Sequence, residues 1–169
     1  MAHDLFSFDP SVLLVRDGAG DYRPAEADEV LRAAQRILGE KLRGCEALSS
    51  PQVVRDFLRV KLGALQHEVF AVLLLDAQNR VIEYVELFRG SVSQTSVYPR
   101  EVVKESLARN AAALILVHNH PSGVAEPSRA DEFLTQTLKT ALSLVDIRVL
   151  DHMIVAGADL VSFAERALL

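Results

Sequence analysis

The stretch His118-Asn119-His120-Pro121-Ser122-Gly123, followed by Pro127-Ser128 and Asp131, brings together residue types that bind metals and move protons. His118 and His120 stand two apart at the end of the apolar run 112–117, AALILV. A strand with its two-residue period puts both imidazoles on one face. Pro121 cannot continue a ladder, so the rings belong at the strand's exit. Two neutral imidazoles on one face are a ready pair of zinc ligands. Asp131 falls in the first turn of the next expected helix. It stands three before Leu134 and seven before Leu138, and so shares their inward face. An inward carboxylate is costly unless it is paired or binds a metal. Two histidines and a carboxylate leave a fourth position open, the layout of a hydrolytic rather than a structural zinc site.

Such a site needs a base to activate water. Glu68 opens the apolar run 69–75, where an acid is otherwise out of place. If that run is a strand antiparallel to 112–117, its start lies beside the other's end, and Glu68 beside His118.

The elements that position these groups can be traced along the chain. Residues 12–23 predict a short hairpin around Asp17-Gly18. Val30, Leu31, Ala34, Ile37, Leu38 and Leu42 recur at helical spacing, closed by Gly44. Ser50-Pro51 opens a second helix with Ser50 as N-cap, striped by Val54, Phe57, Leu58 and Leu62 and stopped at Gly63. Strands are expected over 68–76, 81–88 and 91–97, with a break at Gly90. Pro99 starts a helix with Val103, Leu107 and Asn110 on one side. The strand 112–117 precedes a helix over 128–145, striped by Leu134, Leu138, Ala141, Leu142 and Val145. Closing strands fall at 147–155 and 160–163. This order argues for an α/β (α+β) fold, a mixed sheet with helices packed on it.

Composition narrows the function classes. The chain has 169 residues, half of them hydrophobic and 24% charged, which suits one globular domain and rules out a disordered tail. Its net charge of −5 gives no overall positive field for nucleic acid. The single cysteine, Cys45, cannot form an internal disulfide, which fits a reducing cytoplasm, and it excludes a multi-thiolate zinc site. No signal peptide and no membrane-spanning apolar run are expected.

Glu68, then His118-x-His120, seven residues, and Ser128-x-x-Asp131 resemble the JAMM motif of the JAB/MPN+ metalloproteases. The flanking HNHPSG, the Pro-Ser before the aspartate, and Leu150-Asp151-His152 narrow the resemblance to bacterial RadC-type JAB domains. The likeness runs from about Ser50 to the C-terminus. The expected organisation is therefore an N-terminal hairpin and helix extension over 1–49 and a JAB/MPN (RadC-like) domain over 50–169. The resemblance implies a mixed sheet flanked by helices, of cytidine-deaminase-like architecture. It implies that His118, His120 and Asp131 bind Zn2+. Glu68 would hold the activated water, act as general base and pass the proton to a leaving amine. Ser128 would hydrogen-bond the oxyanion or the water. The implied reaction is hydrolysis of a peptide or isopeptide bond in an unknown peptide or protein substrate. Two departures stand out: Asn119 replaces the Ser or Thr of the eukaryotic isopeptidases, and their ubiquitin-gripping insertions have no room here. The paired glycine turns of a helix-hairpin-helix region are also missing from the first 49 residues.

Plainer roles compete at several positions. Ser128-x-x-Asp131 is also a helix capping box. Glu68 could instead pair with Lys61 or Arg80. His67 points to the opposite face from Glu68, and His152 takes a structural role or supports a ligand from behind rather than binding metal itself. Gly90 and Gly123 are turn glycines. Arg55, Arg59 and Lys61 form a modest basic face, solvated more readily than bound to DNA. The alternative function is a DNA-repair-associated accessory protein with a structural or vestigial metal, which the acidic charge disfavours. A zinc deaminase would need a Pro-Cys-x-x-Cys segment that one cysteine cannot supply. An unpaired sheet edge or the hairpin could support a homodimer.

Overall fold

A computed structural model describes residues 13–43, 45, 47, 51–90 and 96–169. The hairpin expected near the N-terminus is present as β1 (Leu14–Arg16) and β2 (Tyr22–Pro24), antiparallel, with Arg16 opposite Tyr22. Its loop is held by the Asp17 carboxylate, which accepts the N–H groups of Ala19 and Asp21 at 2.9 Å each. The helix α1 (Ala27–Leu42) follows, and α2 (Pro51–Leu62) packs against it. Pro51 occupies the first helical position as its fixed φ favours. The expected cap at Ser50 and the stop at Gly44 lie outside the described residues.

The sheet has five strands in the order β4-β3-β5-β6-β7. They are β3 (Val69–Leu75), β4 (Val81–Arg89), β5 (Ala113–Asn119), β6 (Arg148–Ala156) and β7 (Asp159–Ser162). Only β5 and β6 are parallel; the other neighbours run antiparallel. Among the described residues two further helices occur, α3 (Pro99–Ala108) and α4 (Arg129–Ser143), the latter joining the parallel pair. Every residue of β3 and of β5 is buried, as their continuous apolar runs require of central strands covered on both faces.

Alternation divides these strands between two cores. Val69, Ala71, Leu73 and Leu75 join Ala113, Ile115 and Val117 against Val54, Phe57, Leu58 and Leu62 of α2. Phe70, Val72 and Leu74 join Leu114 and Leu116 against Val102 of α3 and Leu138 and Leu142 of α4. His118 continues the second set, so it faces the α4 side at the end of β5.

Two expectations change. Of the strand expected over 91–97, residues 91–95 lie outside the described residues, and 96–98 form no strand but lead into α3. The fully buried residues of α3 are Val102 and Ser106; of the expected stripe only Val103 packs, partly buried, against the second core. Ser106 can be buried because its hydroxyl donates to the Val102 carbonyl at 2.8 Å. Leu107 is half exposed, and Asn110 lies beyond the helix with φ +50°. Among the described residues no helix is long and apolar enough to cross a membrane.

Candidate metal centre

β3 and β5 pair antiparallel with Phe70 opposite His118. The start of β3 therefore meets the end of β5, the relationship that placing Glu68 beside the histidines required. His118 is buried and His120, just past the strand, is partly so. The His120 N–H still donates to the Val155 carbonyl of β6 at 2.8 Å, which fixes the chain as it leaves the sheet. α4 then delivers Asp131 from its first turn. Ser128 is the N-cap: its hydroxyl oxygen accepts the Asp131 N–H at 3.2 Å, and Asp131 Oδ2 accepts the Ser128 N–H at 2.8 Å. The hydroxyl proton of Ser128 also goes to Asp131 Oδ2, at 2.6 Å. The capping box thus orients the carboxylate as well as the helix.

One ligand atom each from His118, His120 and Asp131 lies within 4.8 Å of the others. The two Nε2 atoms are 2.9 Å apart, Asp131 Oδ1 is 3.2 Å from His118 Nε2, and Oδ2 is 3.6 Å from His120 Nε2. Donors at ~2.0–2.1 Å on a tetrahedral zinc are about 3.3 Å apart, so these separations bracket what one such ion needs.

The hydrogen-bond partners assign the tautomers. His120 Nδ1 lies 2.8 Å from the Val124 carbonyl, which can only accept, so Nδ1 carries the hydrogen and Nε2 presents a lone pair. The Thr135 hydroxyl donates to the Asp131 carbonyl at 2.6 Å. Its oxygen therefore accepts from His152 Nδ1, also at 2.6 Å. His152 Nε2 is then an acceptor, 2.8 Å from His118 Nδ1. His152 is fully buried, and burial above all holds its pKa well below the usual imidazole value. It is neutral, as this chain of bonds needs. His118 accordingly also turns an Nε2 lone pair inward.

With both rings neutral and donating through Nδ1, two imidazole lone pairs and a carboxylate oxygen converge with no hydrogen among the three. Acceptors so close repel unless a cation sits between them. A proton answers this only in part: Asp131 raises the pKa of His120 against the effect of burial, and the Val124 carbonyl and the charge on Glu68 add to the rise. Burial would raise the Asp131 carboxyl, but His118, His120 and Ser128 outweigh it and hold it well below the usual carboxylate range. A divalent cation satisfies all three acceptors at once, and the donor set of two imidazoles and one carboxylate suits zinc.

Two further residues bear on this centre. Glu68 is half-buried immediately before β3, and its charge reaches His120. The ion pairs that might have claimed it are taken, since Lys61 pairs with Glu86 at 3.1 Å and Arg80 with Asp76 at 2.7 Å. His152 stands behind His118. Thr135 was missed in the sequence; its signal was a polar residue on the inward stripe of α4, one turn after Asp131.

Comparison with known proteins identifies the family. A family model described as the RadC-like JAB domain matches residues 48–168. A UPF0758 protein of Leptothrix cholodnii is 61% identical over 165 residues, covering 98% of this chain and 74% of that protein. UPF0758 proteins of Aromatoleum aromaticum and Methylibium petroleiphilum are 62% and 60% identical, each match covering 90% of this chain and 68% of the relative. With the match running over the whole sheet and every residue of the metal centre, the chain belongs to the RadC-like JAB domain family.

Proposed function

We propose that this chain is a cytoplasmic zinc-dependent hydrolase, a metallopeptidase or isopeptidase acting on a peptide or protein. The observation that supports it best is the convergence of His118, His120 and Asp131, whose ligand atoms lie within 4.8 Å of one another. Zinc, when bound, supplies a Lewis acid for the scissile carbonyl and lowers the pKa of water toward ~7. His118, His120 and Asp131 would hold it, with Ser128 fixing the Asp131 carboxylate through Oδ2. Glu68 takes a proton from the attacking water and delivers it to the leaving amine. Ser128 has one hydroxyl proton, which Asp131 holds; it reaches the oxyanion or the water by turning from Oδ2 as substrate binds.

The test begins with protein purified without a nickel column after zinc-supplemented expression. About one equivalent of zinc is expected, and less than about a tenth overturns the proposal. Glu68→Gln keeps the metal and lowers hydrolysis of peptide and isopeptide substrates about 10²–10⁴-fold. Full activity in that variant refutes the base assignment. His118→Ala and Asp131→Ala lose the metal. Micromolar DNA affinity that survives Glu68→Gln would favour an accessory role in DNA repair instead.

A further inference from the structure

The paired register of β3 and β5 ends at Phe70 and His118. Beyond it the backbone of β5 turns to β6, where the His120 N–H finds the Val155 carbonyl. Among the described residues no strand pairing continues on that side to Glu68, which immediately precedes β3. The side chain of Asn119 takes the place of the missing ladder. Its Oδ1 accepts the Val69 N–H at 2.8 Å, and its Nδ2 donates to the His67 carbonyl at 3.0 Å. The two partners fix the orientation of the carboxamide, since one can only donate and the other only accept.

These two groups flank Glu68 on either side. On the opposite edge the Glu68 carbonyl accepts the Gly90 N–H at 2.8 Å. The backbone of Glu68 is thus gripped from both edges, and Asn119 supplies the whole grip on one of them. Asn119 is itself only 2% exposed and sits between the two histidines of the metal centre. Any shift of the His118–His120 segment is passed through its carboxamide to the residue proposed as the base.

We propose that Asn119 is the positioning residue for Glu68, setting the place of the general base relative to the metal; this rests on the function proposed above. A displacement of about 1 Å between reacting groups costs on the order of 100-fold in rate, so a two-point tether at this junction has a kinetic consequence. Asn is the suitable residue because one planar group offers both an acceptor and a donor. An Asp of the same shape keeps the Val69 bond and sets a second acceptor against the His67 carbonyl.

The test uses the full chain loaded with Co2+ in place of zinc. The readout is the pH dependence of the cobalt d–d absorption in the wild type, Glu68→Gln, Asn119→Ala and Asn119→Asp. Asn119→Ala is expected to bind cobalt at one equivalent and to move the spectral midpoint in the direction of Glu68→Gln, by at least about half as much. Faster amide exchange at Val69 should accompany the shift. Asn119→Asp, nearly isosteric, should move the midpoint likewise while leaving Val69 exchange slow, and serves where the alanine variant does not fold. A midpoint equal to that of the wild type in a folded Asn119 variant overturns the proposal, because the residue would then be structural only. Absence of cobalt bands in the wild type is a distinct result: it defeats the metal reading itself, and the Asn119 assignment with it.

Discussion

His118 Nδ1 and His152 Nε2 lie 2.8 Å apart, and the bond between them sets which nitrogen of His118 faces the metal centre. His152 can accept because Thr135 takes its other hydrogen at 2.6 Å and passes its own to the Asp131 carbonyl. The chain of bonds leaves from one ligand residue and returns to another. Partners of this kind typically contribute about 10–100-fold to metal affinity. His152→Phe, which keeps a ring but removes the acceptor, is expected to weaken zinc binding by that factor in a chelator competition. Thr135→Val should act in the same direction and more weakly. Unchanged affinity in both variants would show that the tautomer of His118 is fixed by other means.

Ser128 caps α4 and holds Asp131 Oδ2 with both its N–H and its hydroxyl. Loss of an N-cap hydroxyl costs ~1 kcal/mol. Ser128→Ala should therefore lower stability by about that amount in urea denaturation. The same change frees Oδ2 from one of its two Ser128 donors, so zinc affinity should change as well. A stability loss with no change in zinc affinity would separate the cap from the orientation of the ligand.

The site was more legible in the sequence than its support. Paired histidines at strand spacing, an acid opening an apolar run and an acid in a helix's first turn all depend on local period. Local period survives folding in the fully buried strands β3 and β5. The role of His152 depends on parallel pairing with Leu116 opposite His152, a relation between segments far apart in the chain. Thr135 lies fully buried among apolar neighbours on α4, and its importance appears only once its two partners are known. The inward face of α3 was only partly legible, in Val103, for a similar reason. Ser106 looks like a surface residue until its hydroxyl is seen bonded to the Val102 carbonyl.

Gly63 ends α2 where that helix meets the turn between β6 and β7. A Cβ added there would stand 2.4 Å from the Gly157 carbonyl oxygen and 2.7 Å from that of Arg59. Both are backbone atoms and cannot swing aside. Overpacking of this kind costs ~1–3 kcal/mol. Gly63→Ala should thus destabilise the fold by that amount, while Gly39→Ala should be benign on steric grounds, its Cβ meeting only the Phe57 ring at 3.8 Å. Equal melting temperatures for the two variants would contradict this close approach.

The hairpin is tied to α1 by Glu29, and that tie should respond to acid. Glu29 accepts from Arg23 at 2.8 and 2.9 Å and from the Glu26 N–H at 2.9 Å. Arg23, and then the Glu26 N–H, lower its carboxyl from the usual 4.5 to about 2. The unfolded chain takes up this proton near 4.5 and the folded chain only near 2, so the stabilisation is complete above 4.5 and is lost as the pH falls toward 2. Amide protection in β1 and β2 should decline across that window, with the Glu29 carboxyl titrating alongside it by NMR. The group is exposed, so salt should blunt the effect. Glu29→Gln should remove this contribution to the pH dependence and leave the metal centre untouched. Protection that falls with the same midpoint in Glu29→Gln would place the acid-sensitive contact elsewhere in the hairpin.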